Sequence, residues 1–234
     1  MNAKIIIKKL KSFATPERKK TNEWFFKTGK GEYSEHDKFI GIRTPQIRQV
    51  AKQYFKSLTF NEINELINHP IHEVRHCGLI ILVNQYQIDN QDAVFNYYID
   101  NIHAVNNWDL VDTTAPQIVG DYLYQHQEKL PLLFNYLHSS DLWERRISIV
   151  ATWTFIKHDE FAPTLKIAKL LLGDKHDLIH KAIGWMLREV YKKDANICKN
   201  FLRENYTQLP RTTLRYAIER MPESERLRYL KKEF

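Results

Sequence analysis

Five ten-residue segments of the chain align with one another at nearly constant spacing. They read EVRHCGLIIL, LVDTTAPQIV, ERRISIVATW, IHKAIGWMLR and TLRYAIERMP. The third column of this alignment recurs every 34 to 37 residues and holds Arg75, Asp112, Arg146, Lys181 and Arg215. Internal periods of this length are typical of stacked helical hairpins, each of which buries its apolar face against its neighbours. The sequence therefore predicts an all-α fold, an α-solenoid of helical-hairpin repeats with a concave basic groove.

Apolar residues recur at helical rather than alternating spacing along nearly the whole chain. Thr15-Pro16, Thr44-Pro45 and Thr59 mark predicted helix starts, and residues 28–38 are the most loop-like segment. Further helices are predicted at 71–87, 92–98, 130–137, 142–156, 164–172, 178–191, 196–205 and 211–221, and no strand is predicted. We expect a single helical-repeat domain over 1–234, with N-terminal helices in 1–58 and stacked repeats in 59–234.

The charge balance favours a polyanionic partner. The chain has 35 Lys and Arg against 28 Asp and Glu, a net charge of +7. Such a surplus suits nucleic acid, although surplus Lys can also serve solubility alone. The two cysteines are isolated, which is typical of a reduced cytosolic compartment. There is no signal-peptide pattern and no apolar run near twenty residues, so we expect a cytoplasmic protein with no membrane association.

Two histidine pairs and one glycine pair resemble ligand sites only in part. His72 and His76 are four residues apart, as are His176 and His180, but no third ligand accompanies either pair. We interpret these histidines as surface or capping residues and predict no metal. Gly29-Lys30-Gly31 lacks the rest of a phosphate-binding loop, so no cofactor, and no nucleotide cofactor in particular, is expected.

The segment NNWDLVD at 106–112 combines a large ring with a carboxylate. If it is helical, Trp108 and Asp112 lie one turn apart on one face. Trp185 similarly follows Lys181 by one turn, so the two tryptophans could border the same acidic point. The alternative is a core Trp beside a surface Asp in an ion pair. Trp24, Trp143 and Trp153 show no such coupling and are interpreted as core or stapling residues.

The basic column has two interpretations. Its Arg and Lys side chains suit the regularly spaced charge of a phosphate backbone. Alternatively, each Arg pairs with a nearby acid and staples adjacent repeats, and Glu73, Glu144 and Glu219 are close enough in sequence to do so. The net charge favours the first interpretation.

Four motifs resemble one known family. WDLVD at 108–112, LWERR at 142–146, KAIGWMLRE at 181–189 and FxGIRTPxxR at 39–48 are similar to motifs of the AlkD-type alkylpurine DNA glycosylases, which are built of HEAT-like repeats. The resemblance spans nearly the whole chain. It implies a monofunctional base excision repair enzyme of the bacterial cytosol and nucleoid that acts as a monomer. It also implies hydrolytic removal of cationic bases, such as 3-methyladenine and 7-methylguanine, from duplex DNA without base flipping.

The resemblance assigns roles to residues of this chain. Asp112 would be the catalytic carboxylate, and Trp108 and Trp185 would pack on the deoxyribose of the lesion. Arg146 would contact the DNA backbone and Arg188 would face phosphate. DNA contacts are also expected from the basic column and from the FxGIRTPxxR motif, that is, from Lys181, Arg215, Arg75, Arg43, Thr44 and Arg48. Some members carry a Tyr near the lesion where this chain has Trp24-Phe25-Phe26, so Trp24 and Phe25 become the lesion-proximal aromatic candidates.

Two other classes of function remain open. A noncatalytic HEAT-like module that binds DNA or RNA structures would need the basic column but not Asp112. A protein-binding scaffold would need an apolar or acidic groove. The WDLVD and GWMLRE motifs favour the enzyme over both.

Overall fold

The computed structural model describes residues 3–88 and 90–233. Its α-helices are α1 (Ala3–Lys11), α2 (Pro16–Phe25), α3 (Thr44–Tyr54), α4 (Phe60–Ile67), α5 (His72–Ile88), α6 (Gln91–Asp100), α7 (Trp108–Thr114), α8 (Asp121–Gln125), α9 (Pro131–Tyr136), α10 (Leu142–Val150), α11 (Trp153–Lys157), α12 (Ala162–Leu171), α13 (Asp177–Lys193), α14 (Ala195–Glu204), α15 (Arg211–Ala217) and α16 (Glu223–Lys231). Short 3₁₀ turns cover Phe55–Ser57, Ile102–Ala104, Gln127–Lys129 and Tyr206–Gln208, and Ala115–Gly120 is π-helical. Within the described ranges there is no β-strand, and the only isolated bridge joins Lys38 and Ile71. The all-α prediction is confirmed.

The predicted helix starts reflect local capping. The hydroxyl of Thr15 accepts the backbone N–H of Arg18, and Pro16 occupies the first position of α2. Thr59 and Glu62 form a capping box at α4. These contacts satisfy N–H groups that have no partner within the helix, so the starts could be predicted from the sequence.

The chain forms two compact units, residues 1–114 and 115–234, and each has a long helix at its centre. In the first unit α5 packs against α1, α3, α4, α6 and α7, and most of its residues are buried. In the second unit α13 packs against α10, α11, α12, α14 and α15. Of the predicted site residues, Arg75 lies on α5, and Lys181, Trp185 and Arg188 lie on α13.

Some elements differ from the prediction, among them α8, which no predicted helix covers. The helix predicted at 142–156 is two helices, α10 and α11, with a break at Ala151 and Thr152. The hydroxyl of Thr152 donates to the Ile149 carbonyl at 2.7 Å, a local bond that competes with helix continuation. The terminal helix α16 was not predicted, because few of its residues are apolar. Within the part of the chain that the structure describes, every helix is too short or too polar to cross a membrane.

Candidate functional site

Helix α7 begins at Trp108, and the side chain of the preceding residue, Asn107, caps this end of the helix. The side-chain oxygen of Asn107 accepts the backbone N–H of Trp108 at 2.8 Å. The amide of the fully buried Asn107 also donates to Asp37 at 2.8 Å and to Ser34 at 2.5 Å. The loop before α3 therefore fixes where α7 starts.

The ring of Trp108 lies in an aromatic cluster. It stacks on Phe26 with ring centroids 5.2 Å apart, and it meets Phe25 edge-on with ring centroids 5.7 Å apart. Its indole N–H donates to the Tyr33 hydroxyl at 3.2 Å. Asp112 lies one turn further along α7, and both residues are half-buried. The predicted helical spacing is confirmed, whereas the roles of both residues stay predictions.

A cluster of charges lies between α5 and α7. His72 Nε2 is 2.9 Å from Asp109 Oδ2, and His72 Nδ1 is 3.5 Å from Asp37 Oδ2. His76 Nδ1 approaches the same Asp109 oxygen at 3.4 Å. Arg75 pairs with Asp37 and also donates to the His69 and Pro70 carbonyls. Sequence reasoning missed Asp37 and Asp109; the available signal was that Asp109 follows His72 by 37 residues, the repeat period.

His72 and His76 were predicted to be surface or capping residues, and that prediction is wrong. Their exposed fractions are 1% and 4%, because the face of α5 that carries both is covered by α7. The capping prediction holds for His176, whose ring accepts the backbone N–H of Leu178 at the start of α13.

The charges of this cluster balance one another near neutral pH. Burial alone would lower the pKa of His72, but Asp109, assisted by Asp37, raises it to about 9. Burial would raise the pKa of Asp37 and of Asp109, but the contacts of Asp37 with His72 and Arg75, and of Asp109 with His72, hold both below the usual range. Burial, reinforced by nearby positive charge, outweighs Asp109 and lowers the pKa of His76 to about 4. Two carboxylates thus face two cations and one neutral imidazole.

His72, His76 and Asp109 also have the composition of a metal site. Their nearest ligand atoms lie within 4.8 Å of one another. However, protonated His72 and Arg75 already balance Asp109 and Asp37, and the guanidinium of Arg75 lies 3.5 Å from His72 Nδ1. We therefore interpret the group as a buried ion-pair network and not as a metal centre.

The FxGIRTPxxR segment wraps around a buried carboxylate. Glu73 of α5 is 1% exposed and accepts the backbone N–H groups of Ile40, Gly41 and Ile42 at 2.8 to 3.3 Å. Gly41 has φ +88°, and a Cβ there would lie 2.2 Å from the Thr15 carbonyl oxygen. The stapling interpretation offered Glu73 as a partner of Arg75, but Glu73 binds these backbone N–H groups instead. The motif brings Arg43, Thr44 and Arg48 to the exposed start of α3.

Two of the predicted DNA-contact residues are buried. Arg75 is 6% exposed and is held by Asp37, so the stapling interpretation applies to it, with a different acid. Arg146 is 5% exposed and donates to the Leu178 carbonyl at 2.6 Å. Residues that share a column of the sequence alignment therefore need not be exposed. We remove both from the set of expected phosphate contacts.

The second unit holds the GWMLRE motif on α13. Trp185 is half-buried beside Trp153, with ring centroids 6.4 Å apart, and Lys157 lies over the Trp153 ring at 4.9 Å. Trp153 was interpreted as unrelated to the site residues, and its contact with Trp185 corrects that interpretation. The reason is that α11 packs on α13, which the sequence pattern did not reveal. Gly184 permits this packing geometry on the other side, because a Cβ there would lie 2.4 Å from the Cβ of Tyr216 in α15.

The remaining basic candidates of the second unit differ in exposure. Lys181 pairs with Asp177 at 2.7 Å, and Arg188 pairs with Glu219. Both are half-buried, whereas Arg215 is exposed. Surface pairs of this kind can exchange partners at little cost, so they remain compatible with phosphate contacts.

Trp24 and Phe25 form an exposed aromatic surface at the end of α2. Their exposed fractions are 80% and 54%, so the interpretation of Trp24 as a core residue is wrong. With Lys27, Thr28 and Gly29 among its other lining residues, this surface borders an open cavity of about 450 Å³. Phe25 connects the surface to the Trp108 ring.

Comparisons with known proteins agree on one family. A family model described as DNA alkylation repair enzyme matches residues 6–221. Among solved structures, a predicted DNA alkylation repair enzyme from Enterococcus faecalis aligns with a TM-score of 0.71 at 18% identity, covering 90% of this chain and 97% of that one. AlkD2 from Streptococcus mutans aligns with a TM-score of 0.57 at 16% identity, covering 87% and 97%. At these identities the two structures establish the fold alone. The curated proteins include no significant match to the chain.

Proposed function

The chain belongs to the DNA alkylation repair enzyme family, and on that premise we propose that it is a monofunctional DNA N-glycosylase that hydrolyses the glycosidic bond of cationic N-alkylated purines in duplex DNA. The observation that carries the proposal is the half-buried carboxylate of Asp112, one helical turn from the anchored ring of Trp108. The family assignment by itself supports a role in repair of alkylation damage. The reaction type and the substrate class rest on these side chains and on the resemblance to AlkD-type enzymes.

The chemistry of cationic lesions suits a lone carboxylate. A purine alkylated at N3 or N7 carries a positive charge, so it leaves as a neutral base and shifts positive charge onto the deoxyribose. A carboxylate fixed near the sugar stabilises that charge as it develops. A unit charge at about 4 Å contributes roughly 4 kcal/mol at an effective dielectric of about 20, which corresponds to about a thousandfold in rate.

A neutral base would need a proton donor as well. His76 lies next to α7, but its ring is buried and its pKa is lowered to about 4, so it is unprotonated at neutral pH. It is therefore a poor general acid at neutral pH. We expect 3-methyladenine and 7-methylguanine to be substrates, and uracil and undamaged purines to be poor ones.

We assign the aromatic residues to the sugar and to the surface around the lesion. Trp108 would pack on the deoxyribose and exclude bulk water, which strengthens the effect of Asp112. Because rings that hold the sugar leave the base in the duplex, no base flipping is needed in this mechanism. Trp24 and Phe25 offer exposed rings for contacts near the lesion.

We revise the proposed DNA contacts according to exposure. In the first unit Arg43, Thr44 and Arg48 lie at the N-terminus of α3, where the helix dipole adds to their attraction for phosphate. In the second unit Lys181, Arg188 and Arg215 remain as candidates. The partner is duplex DNA with alkylated bases, and we propose that the protein acts as a monomer in the bacterial cytosol and nucleoid, without a cofactor.

Base release from three duplexes tests the proposal. The native protein is incubated with duplexes that contain 7-methylguanine, uracil or no modification, and the released base is quantified while duplex affinity is measured in parallel. Release of 7-methylguanine alone is the expected result. Tight binding of all three duplexes without any release would instead support the noncatalytic DNA-binding module.

A further inference from the structure

His72 connects three separate parts of the first unit. It belongs to α5, its Nδ1 faces Asp37 of the loop before α3 at 3.5 Å, and its Nε2 contacts Asp109 in the first turn of α7 at 2.9 Å. Its exposed fraction is 1%. Asp109 directly follows Trp108 and precedes Asp112 by three residues. The contact of His72 with Asp109 therefore restrains the helical turn that carries both Trp108 and Asp112.

A second route links His72 to the same turn through rings. The imidazole lies 4.6 Å from the ring of Phe39 and 5.0 Å from the ring of Phe26. Phe26 stacks in turn on Trp108 at 5.2 Å. His72 thus reaches α7 by an ionic contact at Asp109 and by an aromatic contact that ends at Trp108.

We propose that His72 is a positioning residue for the glycosylase reaction: by bridging Asp37 and Asp109 it fixes the first turn of α7, and with it Trp108 and Asp112. The inference rests on the proposed function, because it assigns His72 a purpose in that reaction. His72 does not touch the substrate in this account. It acts through the placement of two other side chains.

The bridge requires a protonated ring, since only imidazolium donates from both nitrogens. The charged and titratable groups around His72 are Asp37 from the loop, Asp109 from α7, and Arg75 and His76 from α5 itself. Burial and the Arg75 guanidinium would lower the pKa of His72, but the two carboxylates outweigh both and raise it to about 9. The bridge is therefore complete at neutral pH and is lost above about pH 9.

A purely structural ion pair would stabilise the fold without any specific effect on the reaction. The two roles differ in what a mutation changes. Loss of a structural contact lowers the free energy of unfolding and affects binding and catalysis together. Loss of a positioning contact displaces Trp108 and Asp112 and lowers the excision rate while the phosphate contacts stay intact.

The test compares His72→Gln with a matched buried substitution on the same helix. Cys77→Ala also truncates a buried side chain of α5, but the Cys77 thiol faces the Ile47 carbonyl of α3. Because His72→Gln leaves Asp109 without its cation, the double variant with Asp109→Asn, which removes that uncompensated charge, is measured as well. Single-turnover release of 7-methylguanine, duplex Kd and the five Trp indole N–H resonances are measured for each protein from pH 6 to 9.5.

The expected result is a loss of at least about tenfold in excision rate for both His72 variants, with Kd within about twofold of the native value and a shifted Trp108 indole resonance. The native rate should fall above about pH 9, and the residual rate of the variants should show no such fall. Cys77→Ala should keep the native rate and the Trp108 resonance. An unchanged rate in both His72 variants, or equal losses of rate and affinity, would overturn the inference.

Failure of the proposed function has a different signature. The native protein would then release no base at any pH. In that case the Trp108 resonance decides the positioning claim: a shift in the His72 variants but not in Cys77→Ala supports it, and an unshifted resonance overturns it.

Discussion

Glu73→Gln is the sharpest test of how the FxGIRTPxxR segment is held. One oxygen of Glu73 accepts the N–H of Gly41 at 2.8 Å, the amide of Asn22 at 3.1 Å and the N–H groups of Ile40 and Ile42 at 3.2 and 3.3 Å. The other oxygen accepts the N–H of Ile40 at 3.1 Å. The substitution keeps the shape of the side chain, removes its charge and turns one acceptor into a donor.

The size of the effect follows from these contacts. A hydrogen bond to a charged group contributes roughly 1.5–3 kcal/mol, and a neutral one roughly 0.5–1.5 kcal/mol. Loss of charge over three backbone N–H groups therefore costs about 3 kcal/mol. For a chain of this length that corresponds to a fall in Tm of roughly 6–12 °C.

Urea denaturation followed by circular dichroism measures this loss. Glu65→Gln is the matched control, because Glu65 lies exposed on the neighbouring helix α4. The control should stay within about 0.5 kcal/mol of the native protein. A loss for Glu73→Gln no larger than that of the control would refute the assignment of Glu73 as the anchor of this segment.

Three further predictions concern pH, packing and DNA binding. Because folding raises the pKa of His72 from 6.5 to about 9, the stabilisation that His72 provides is complete below pH 6.5 and is lost as pH rises through 9. The free energy of unfolding, measured by urea denaturation between pH 6 and 9.5, should therefore fall by an amount on the order of 3 kcal/mol, and His72→Gln should flatten that decline. Gly184→Ala should cost about 1–3 kcal/mol by forcing α13 from α15, whereas Gly173→Ala, where a Cβ meets nothing within 4 Å, should melt like the native protein. Arg48→Gln should weaken binding to every duplex and reduce the slope of log Kd against log salt by about one, and an unchanged slope would remove Arg48 from the proposed contacts.

Local signals explain why much of the fold could be predicted. The starts at Thr15-Pro16 and Thr59 depend on contacts within four residues, and those are visible in the sequence. The helical spacing of Trp108 and Asp112 is likewise a local property. The split between α10 and α11 was missed, because it depends on a competing hydroxyl bond of Thr152 inside an otherwise helical pattern.

Burial was harder to predict, because it depends on partners distant in sequence. Arg75 and Arg146 share one column of the alignment. Arg75 is held by the carboxylate of Asp37 in a loop, whereas Arg146 donates to the Leu178 carbonyl at the start of α13. The histidine pair at 72 and 76 had the right spacing for one face, but only the packing of α7 made that face internal. A repeat period predicts which residues share an alignment column, but it does not predict what surrounds each of them.

Asp112→Asn tests the central claim most directly. Asn is nearly isosteric with Asp but uncharged, so the variant should lose most excision of 7-methylguanine while its duplex Kd stays within about twofold, a loss on the order of a thousandfold by the electrostatic argument. Asp100→Asn, at the exposed end of α6 in the same unit, serves as the matched control and should keep the native rate. Release by Asp112→Asn at the native rate would contradict the assignment of Asp112 as the catalytic carboxylate.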